Sequence, residues 1–364
     1  DSTLPPAWSN WLVPTGASLE GVSARDTLMT FGAGTRRAAA CPLAPGGVRP
    51  LWGGILALPG SFEMVMLDGN GDLWATGYPS PVYSAGGGAR TPLTLAPSID
   101  NVTGDDAVLI AGADGTLHAL RTSDWAECSG SWPIAFDTLA THPVTAATAG
   151  GVYVAVAEKR GILHLLDGEG SNVGSTWDVG PDFVHKGNIV VRRDAEGNAT
   201  GIFAASMEIV DPKGIWLSLY DITAEGLEPA GDFSRFVPMT AEELAGEIWM
   251  AGGDAVPHIE GSEIWVVGAS SGRILLYGED GRISDRKIGK PVTAPPAVAD
   301  LNGDGRLDLI CTDGRRVMAI DPSGANLRGW PRDVNGLFYL PVEVGVSAAP
   351  TVAAGSRGML VIAP

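Results

Sequence analysis

Cysteine, positive charge and long apolar runs are all scarce in this sequence, and each shortage excludes something. The three cysteines, Cys41, Cys128 and Cys311, are too few and too scattered for a disulfide scaffold or a zinc site. At most one bridge can form, and buried thiols are the alternative. Lys and Arg number 24 against 42 Asp and Glu, a net charge of −18 with a pI near 4.6. Nucleic acid is thereby excluded as a partner, because phosphate binding needs Lys and Arg to release counterions. An anionic membrane surface is disfavoured by the same charge. The acidic excess serves solubility and creates a field that attracts cations. No run approaches the ~18 apolar residues of a spanning helix, so no direct membrane insertion is expected. The chain opens at Asp1 without Met or an apolar leader, which reads as a processed chain. The expected location is outside the cytoplasm: extracellular, cell-surface or periplasmic. Helical patterning is scarce too. Only Thr240–Gly246 reads as a helical turn, with Thr240 as its cap and Glu243 three residues on.

What is abundant is punctuation. Gly and Pro account for 50 and 26 of the 364 residues, too many breakers for a helical bundle or a doubly wound α/β enzyme. Yet 45% of the residues are hydrophobic and 18% charged, so the chain is no disordered linker. An all-β protein of many short strands fits both facts. Segments such as VMAI, DLIC, EIWVV and GVYVAV are β-branched or aromatic and bounded by Gly and Asp. Asp-Gly pairs at 114–115, 280–281 and 313–314 sit between apolar runs, a strong hairpin signal.

A repeat organises these strands. Its fullest copy is Ala294–Pro331: an apolar strand, an Asp-rich loop, a second strand, a tight turn, a third strand, then a loop and an outer strand ending in Gly-Trp-Pro. Leu95–Leu120, Met64–Pro79, Gly151–Trp177 and Glu263–Asp285 match parts of it. Pro79 to Pro133 is 54 residues, Pro133 to Pro331 is 198 and Pro97 to Pro296 is 199. These are multiples of about 50, so 364 residues hold roughly seven units. Four-stranded units at this period predict a seven-bladed β-propeller, one domain over 1–364. The expected blades are 46–93, 94–137, 138–181, 182–235, 236–289 and 290–340, with a seventh made of 341–364 and 21–45. That last blade joins C-terminal and N-terminal strands and so closes the ring.

The chemistry-bearing motif is D-x-N-x-D-G-x-x-D at Asp300, Asn302, Asp304 and Asp308. Side-chain oxygens fall at positions 1, 3, 5 and 9, Gly305 permits the sharp turn, and the Arg306 carbonyl supplies position 7. Hard oxygen donors at this spacing suit Ca²⁺. It is no EF-hand, because Cys311 stands where a bidentate Glu is needed and strands flank the loop. Asp300–Asp308 followed by LICTDGRRVMAI resembles an FG-GAP or VCBS-type repeat, which builds the propeller of integrin α-subunits and many bacterial surface proteins. Gly329-Trp330-Pro331 is typical of the bacterial members. The resemblance implies one Ca²⁺, held by Asp300, Asn302, Asp304, Arg306 through its backbone and Asp308, that rigidifies a blade. The FG and GAP tripeptides themselves are poorly kept, with Phe31-Gly32-Ala33-Gly34 as an echo elsewhere, so integrin-like ligand binding is not carried over.

Other loops are weaker. Aligned without gaps, Asp100 matches Asp300, but Val102, Gly104 and Val108 replace the later donors, with Asp105 and Asp106 nearby. Asp194-Ala-Glu196-Gly-Asn198 could be a second metal loop or a turn. Asp68-Gly-Asn70-Gly-Asp72 reads as a hairpin turn. Gly268-Ala-Ser270-Ser-Gly272 matches a nucleophile-elbow pattern but lies between two strands, so it too is a hairpin. The histidines lack ligand spacing, although His118 and His164 hold equivalent third-strand places. The expected function is therefore a non-enzymatic calcium-binding module for proteins or glycans at the cell surface, or a subunit of a larger assembly there. The alternative is a propeller enzyme, a polysaccharide lyase or a quinoprotein-like dehydrogenase.

Overall fold

The computed structural model describes residues 65–333 in full, apart from 76–77, 87, 90–92, 195, 253–262, 279–280 and the side chain of 232. It also describes the strand backbone at 17–19, 28–33, 38–42, 50–58, 61–64, 343–345, 351–355 and 359–362. Among these residues the protein is β throughout, save one helical turn, and the ladders between its strands are antiparallel.

Two compact units are distinguished, residues 87–291 and residues 1–86 with 292–364. In the first, consecutive sheets follow the chain. One sheet pairs Thr94–Ala96, Ala107–Ala111, Thr116–Arg121 and Ile134–Ala135 in sequence order. The next pairs Val144–Thr148, Gly151–Ala157, Ile162–Leu166 and Trp177–Asp178. A five-stranded sheet follows: Phe183–His185 and Val190–Arg193 both pair with Ala199–Glu208, which leads to Gly214–Thr223 and Gly226–Pro238. The last holds Ile248–Gly252, Ile264–Gly268, Arg273–Gly278 and Gly281–Lys287. The second strands AVLIA and IWVVG are buried along their whole length. Continuous apolar runs of that kind belong to strands covered on both faces.

The covering comes from the neighbouring sheets. Leu109 and Leu117 share a core with Val154 and Val156 of the next sheet. Ala155 and Leu163 share another with Ile202 and Tyr220. Phe203 and Leu217 share a third with Met250 and Leu275. Each of the first three sheets thus buries a face on its successor, which no single sheet can do alone. Close approach between sheets demands glycine at particular points. A Cβ on Gly168 would meet the Ile99 carbonyl at 2.2 Å, and one on Gly174 would meet the Glu225 carbonyl at 1.5 Å. Trp132 donates from Nε1 to the Gly168 carbonyl at 3.1 Å, tying the first sheet to the second.

The second unit contains a four-stranded sheet of Pro50–Leu58, Ser61–Asp68, Asp72–Ala75 and Tyr83–Ser84. It also contains one of Ala297–Ala299, Asp308–Thr312, Arg316–Ile320 and Arg332–Asp333. Strands Ala17–Leu19, Leu28–Ala33 and Ala38–Pro42 pair with one another, as do Glu343–Gly345, Thr351–Gly355 and Met359–Ile362. The connections between these end strands, and the side chain of Cys41, lie outside the described residues.

Two details depart from a strict four-strand unit. The sheet of Phe183–Pro238 carries the extra edge strand Val190–Arg193, and its outer strand reaches Pro238, past the expected limit at 235. A ten-residue hairpin arm explains both: Ala199–Glu208 is long enough to take two partners side by side along one edge. The helical turn Ala241–Ala245 forms where the sequence places it. Thr240 Oγ1 accepts the Glu243 N–H at 3.3 Å, and the Thr240 N–H donates to the Glu243 carboxylate at 2.8 Å. The nucleophile-elbow look-alike is a hairpin turn that receives this helix. Ser271 donates to Glu243 at 2.7 Å and Ser270 to the Glu242 carbonyl at 3.1 Å.

Candidate metal centre

The loop Asp300–Leu307 joins the first two strands of its sheet, and Asp308 opens the second strand. The turn is organised by its own carboxylates. Asp300 Oδ1 accepts the N–H groups of Gly303 at 2.7 Å and Asp304 at 3.1 Å, while Oδ2 accepts that of Gly305 at 2.9 Å. Asn302 Oδ1 accepts from Asp304 N at 2.8 Å, and Asp304 Oδ1 from Arg306 N at 2.8 Å. Gly303 and Gly305 have φ of 76° and 83°, the left-handed region that lets the loop fold back on itself. Asp300, Asn302, Asp304 and Arg306 thus share one compact turn, and Asp308 stands at its exit, in the second strand.

Asp308 is the unusual member. It is fully buried. Its Oδ2 accepts the Leu301 N–H at 2.9 Å, and its Oδ1 has no hydrogen-bond partner among the described residues. Burial pushes its carboxyl up to about 7; the Leu301 N–H opposes this, and the nearby carboxylates of Asp304, Asp300 and Asp321 add to it.

Other buried aspartates of the protein are treated differently. Asp68 takes the N–H groups of Asn70 and Asp72 and the indole of Trp74, at 2.8, 3.1 and 3.0 Å. Asp313 takes two backbone N–H groups, from Arg315 and Arg316, and the Arg316 guanidinium. Asp100 takes Val102 and Thr103 N–H groups on Oδ1, with Arg121 at 3.5 Å from Oδ2. Burial would raise the Asp100 carboxyl, but these donors outweigh it and hold the group below the usual range. A buried carboxylate with one donor costs several kcal/mol, by order of magnitude, unless a proton or a cation joins it. Asp308 alone of these four aspartates is in that position.

Among the described residues no three His, Cys, Asp or Glu side chains are gathered into a ready-made metal set. The oxygens of Asp300 and Asn302, and Asp304 Oδ1, face backbone N–H groups of the turn, and Asp304 Oδ2 accepts from the Asn302 amide at 3.0 Å. A cation would have to exchange those donors for itself, while Asp308 Oδ1 would be gained outright. Hard oxygen donors on a Gly-permitted turn are the chemistry of Ca²⁺.

The remaining loops resolve as turns. Asp194 Oδ1 accepts from Glu196 N and Asn198 N at 3.1 and 2.8 Å, and Oδ2 from the Asn198 amide at 3.2 Å, closing a hairpin. Asp106 holds Ser98 N at 2.7 Å and Asp105 the Ser123 hydroxyl at 2.7 Å. The ungapped alignment that set Val108 against Asp308 shifts by one. Ala107 pairs with Ala96 as Asp308 pairs with Ala299, because Asp100 stands seven residues before Ala107 whereas Asp300 stands eight before Asp308.

Sequence reasoning missed a buried polar pair in the neighbouring unit. His164 Nε2 lies 2.8 Å from Glu158 Oε1, and its Nδ1 lies 3.1 Å from Asn172 Oδ1. His118, the equivalent third-strand residue, meets Glu127 at 2.8 Å. The two acids come from unrelated places, the end of a second strand and a turn, so no fixed spacing announces them. Cys128 and Cys311 are buried thiols, and burial pushes the former up to about 12.

No family model matches this sequence, and no curated protein matches it. Solved structures do. BBS1N, in complex with ARL6DN, is 12% identical with a TM-score of 0.58, over 87% of this chain and 92% of that one. BamB from Moraxella catarrhalis is 15% identical with a TM-score of 0.55, over 95% and 97%. The Dos1 propeller is 12% identical with a TM-score of 0.57, over 85% and 77%. These neighbours are β-propellers, and the likeness is one of fold: antiparallel, mostly four-stranded sheets laid one after another along the chain.

Proposed function

We propose that this protein is an exported, calcium-stabilised propeller of seven blades that binds other proteins, as one subunit of a surface assembly. In this reading both ends of the chain contribute to the seventh blade, and the whole chain is one domain. Ca²⁺ is held by Asp300, Asn302, Asp304, the Arg306 carbonyl and Asp308, and its role is structural. The observation that carries the calcium reading is Asp308, a fully buried carboxylate with one oxygen unpartnered beside further acidic groups. The binding role draws support from the fold: one similar propeller, BBS1N, was solved in complex with a second protein, ARL6DN. A glycan ligand and an enzymatic role are the competing outcomes.

The test has two parts. Calcium should raise the melting temperature of the purified chain, and chelator should reverse the effect. Cross-linking in the native source should yield a defined protein partner that co-elutes with the purified chain at fixed stoichiometry. An unchanged melt in chelator removes the calcium reading. A chain that elutes alone and cleaves a polysaccharide or oxidises an alcohol removes the binding role.

A further inference from the structure

Comparison of two sheets extends the calcium reading, on which this inference rests, to a residue outside the loop motif. At the loop end of the sheet Thr94–Ala135, Ala96 pairs with Ala107, and Ala107 pairs with Arg121. The next row holds Leu95, Val108 and Leu120. In the sheet Ala297–Asp333, the row Val298, Leu309 and Ile320 corresponds to it. The ladder ends at Leu309 and Ile320, but Asp321 follows Ile320 as Arg121 follows Leu120: its N–H donates to the Ala325 carbonyl at 2.9 Å, as that of Arg121 donates to the Ala126 carbonyl at 2.8 Å.

The exchange of sign has a physical consequence. In the first sheet Arg121 lies 3.5 Å from the buried Asp100 and pairs with Asp124 at 2.8 Å, so a buried carboxylate is met by a cation of the chain itself. In the second sheet the corresponding side chain is another carboxylate. Asp321 holds its own turn through Ser323 N at 2.7 Å, and Arg306 is near it. It adds to the negative field at Asp308 instead of relieving it. One sheet carries its cation covalently, and the other is built to take one from solution.

We propose that Asp321 completes the calcium site: it supplies carboxylate charge from the third strand's end, and Arg121 is the built-in counterpart of the ion in the sister sheet. The unpartnered, fully buried Asp308 Oδ1 is the independent sign that a cation belongs between these groups. Ligand charge is a main determinant of affinity in such oxygen sites.

The experiment uses the full chain with calcium alone as the probe. Titration calorimetry, and melts in calcium or chelator at pH 8, compare wild type with Asp321→Asn and Asp321→Arg. Asp321→Asn is expected to weaken calcium binding about tenfold or more, because one ligand charge is lost. Asp321→Arg is expected to abolish the calcium-induced rise and to melt above wild type in chelator, since its guanidinium replaces the ion. Wild-type calcium affinity in both variants, with no gain for Asp321→Arg in chelator, overturns the inference and leaves the calcium reading standing. A wild-type chain that ignores calcium overturns the calcium reading itself, and Asp321 as a donor with it.

Discussion

In the proposed site the raised carboxyl of Asp308 would make calcium binding depend on pH in a way that an ordinary loop carboxylate does not. A proton and a calcium ion compete for the same buried oxygens. With the group at about 7, the ratio of protonated to ionised carboxyl grows tenfold for each pH unit below that value. The apparent dissociation constant then rises by roughly tenfold at pH 6 and a hundredfold at pH 5, relative to pH 8. That is about 2.7 kcal/mol of binding lost at pH 5. The sign is fixed: affinity is full above the raised value and falls as pH drops through it. A carboxylate at ~3.9 would lose less than about a tenth of its affinity at pH 5. Titration calorimetry at pH 5, 6, 7 and 8 measures the slope. Repeating it at pH 6 in two buffers of different ionisation enthalpy counts the proton released, which should approach one per ion. Histidines elsewhere drop out, because the free and bound forms share them. Equal affinity at pH 5 and pH 8, or calcium binding at pH 6 without proton release, would refute the reasoning about Asp308.

Three further outcomes follow from other parts of the molecule. Burial holds His185 down at about 4, against ~6.5 in the unfolded chain, so its contribution to stability is present above pH ~6.5 and lost as pH falls towards 4. The gap in urea stability between wild type and His185→Gln should therefore shift by about 2 kcal/mol between pH 7.5 and pH 5, and a constant gap would contradict the assignment. Gly174→Ala places a Cβ 1.5 Å from the Glu225 carbonyl at φ +66°, whereas Gly197→Ala at φ +86° meets nothing. Thermal melts should show a loss above about 3 kcal/mol for the first and about 1 kcal/mol for the second. Thr240→Ala removes one half of a capping box that anchors the turn Ala241–Ala245 and should cost about 1 kcal/mol in denaturant titration.

The repeat was legible because its signals are local. Asp114-Gly115 and Asp313-Gly314 turn the chain where a hairpin must turn, with φ of 89° and 87° at the glycines. The second strands AVLIA and IWVVG are apolar at every position because they are covered on both faces. Thr240 and Glu243 announce their helical turn by spacing alone. The fifth strand of the sheet Phe183–Pro238 was not legible, because Val190–Arg193 and Phe183–His185 share one partner and no sequence period records shared partners. The loop motif at Asp300 was legible as a set of oxygens, but not as a set of unequal ones. Only the fold reveals that Asp300 and Asp304 spend their oxygens on N–H groups of the turn while Asp308 keeps one in reserve. The ungapped alignment also set Val108 against Asp308, where the fold sets Ala107.

That last point bears on how a repeat of this kind diversifies. The rows Leu95–Val108–Leu120 and Val298–Leu309–Ile320 are chemically alike, both apolar, with Val108, Leu120, Leu309 and Ile320 fully buried. Their constraint is volume, and volume-conserving apolar exchanges are tolerated there. The row at the loop end escapes that constraint. It holds Ala96, Ala107 and Arg121 in one sheet, and Ala299 and Asp308 with Asp321 in the other. No apolar neighbour dictates these identities, so charge can change sign without disturbing the ladder. A buried carboxylate must nevertheless be neutralised, by a guanidinium, by indole and backbone donors, or by an ion from outside. Arg121 beside Asp100, Trp74 beside Asp68 and the unmet oxygen of Asp308 are three answers to one electrostatic demand. In the proposed site the third answer would leave the protein sensitive to its surroundings, and it arises from the same fold as the other two.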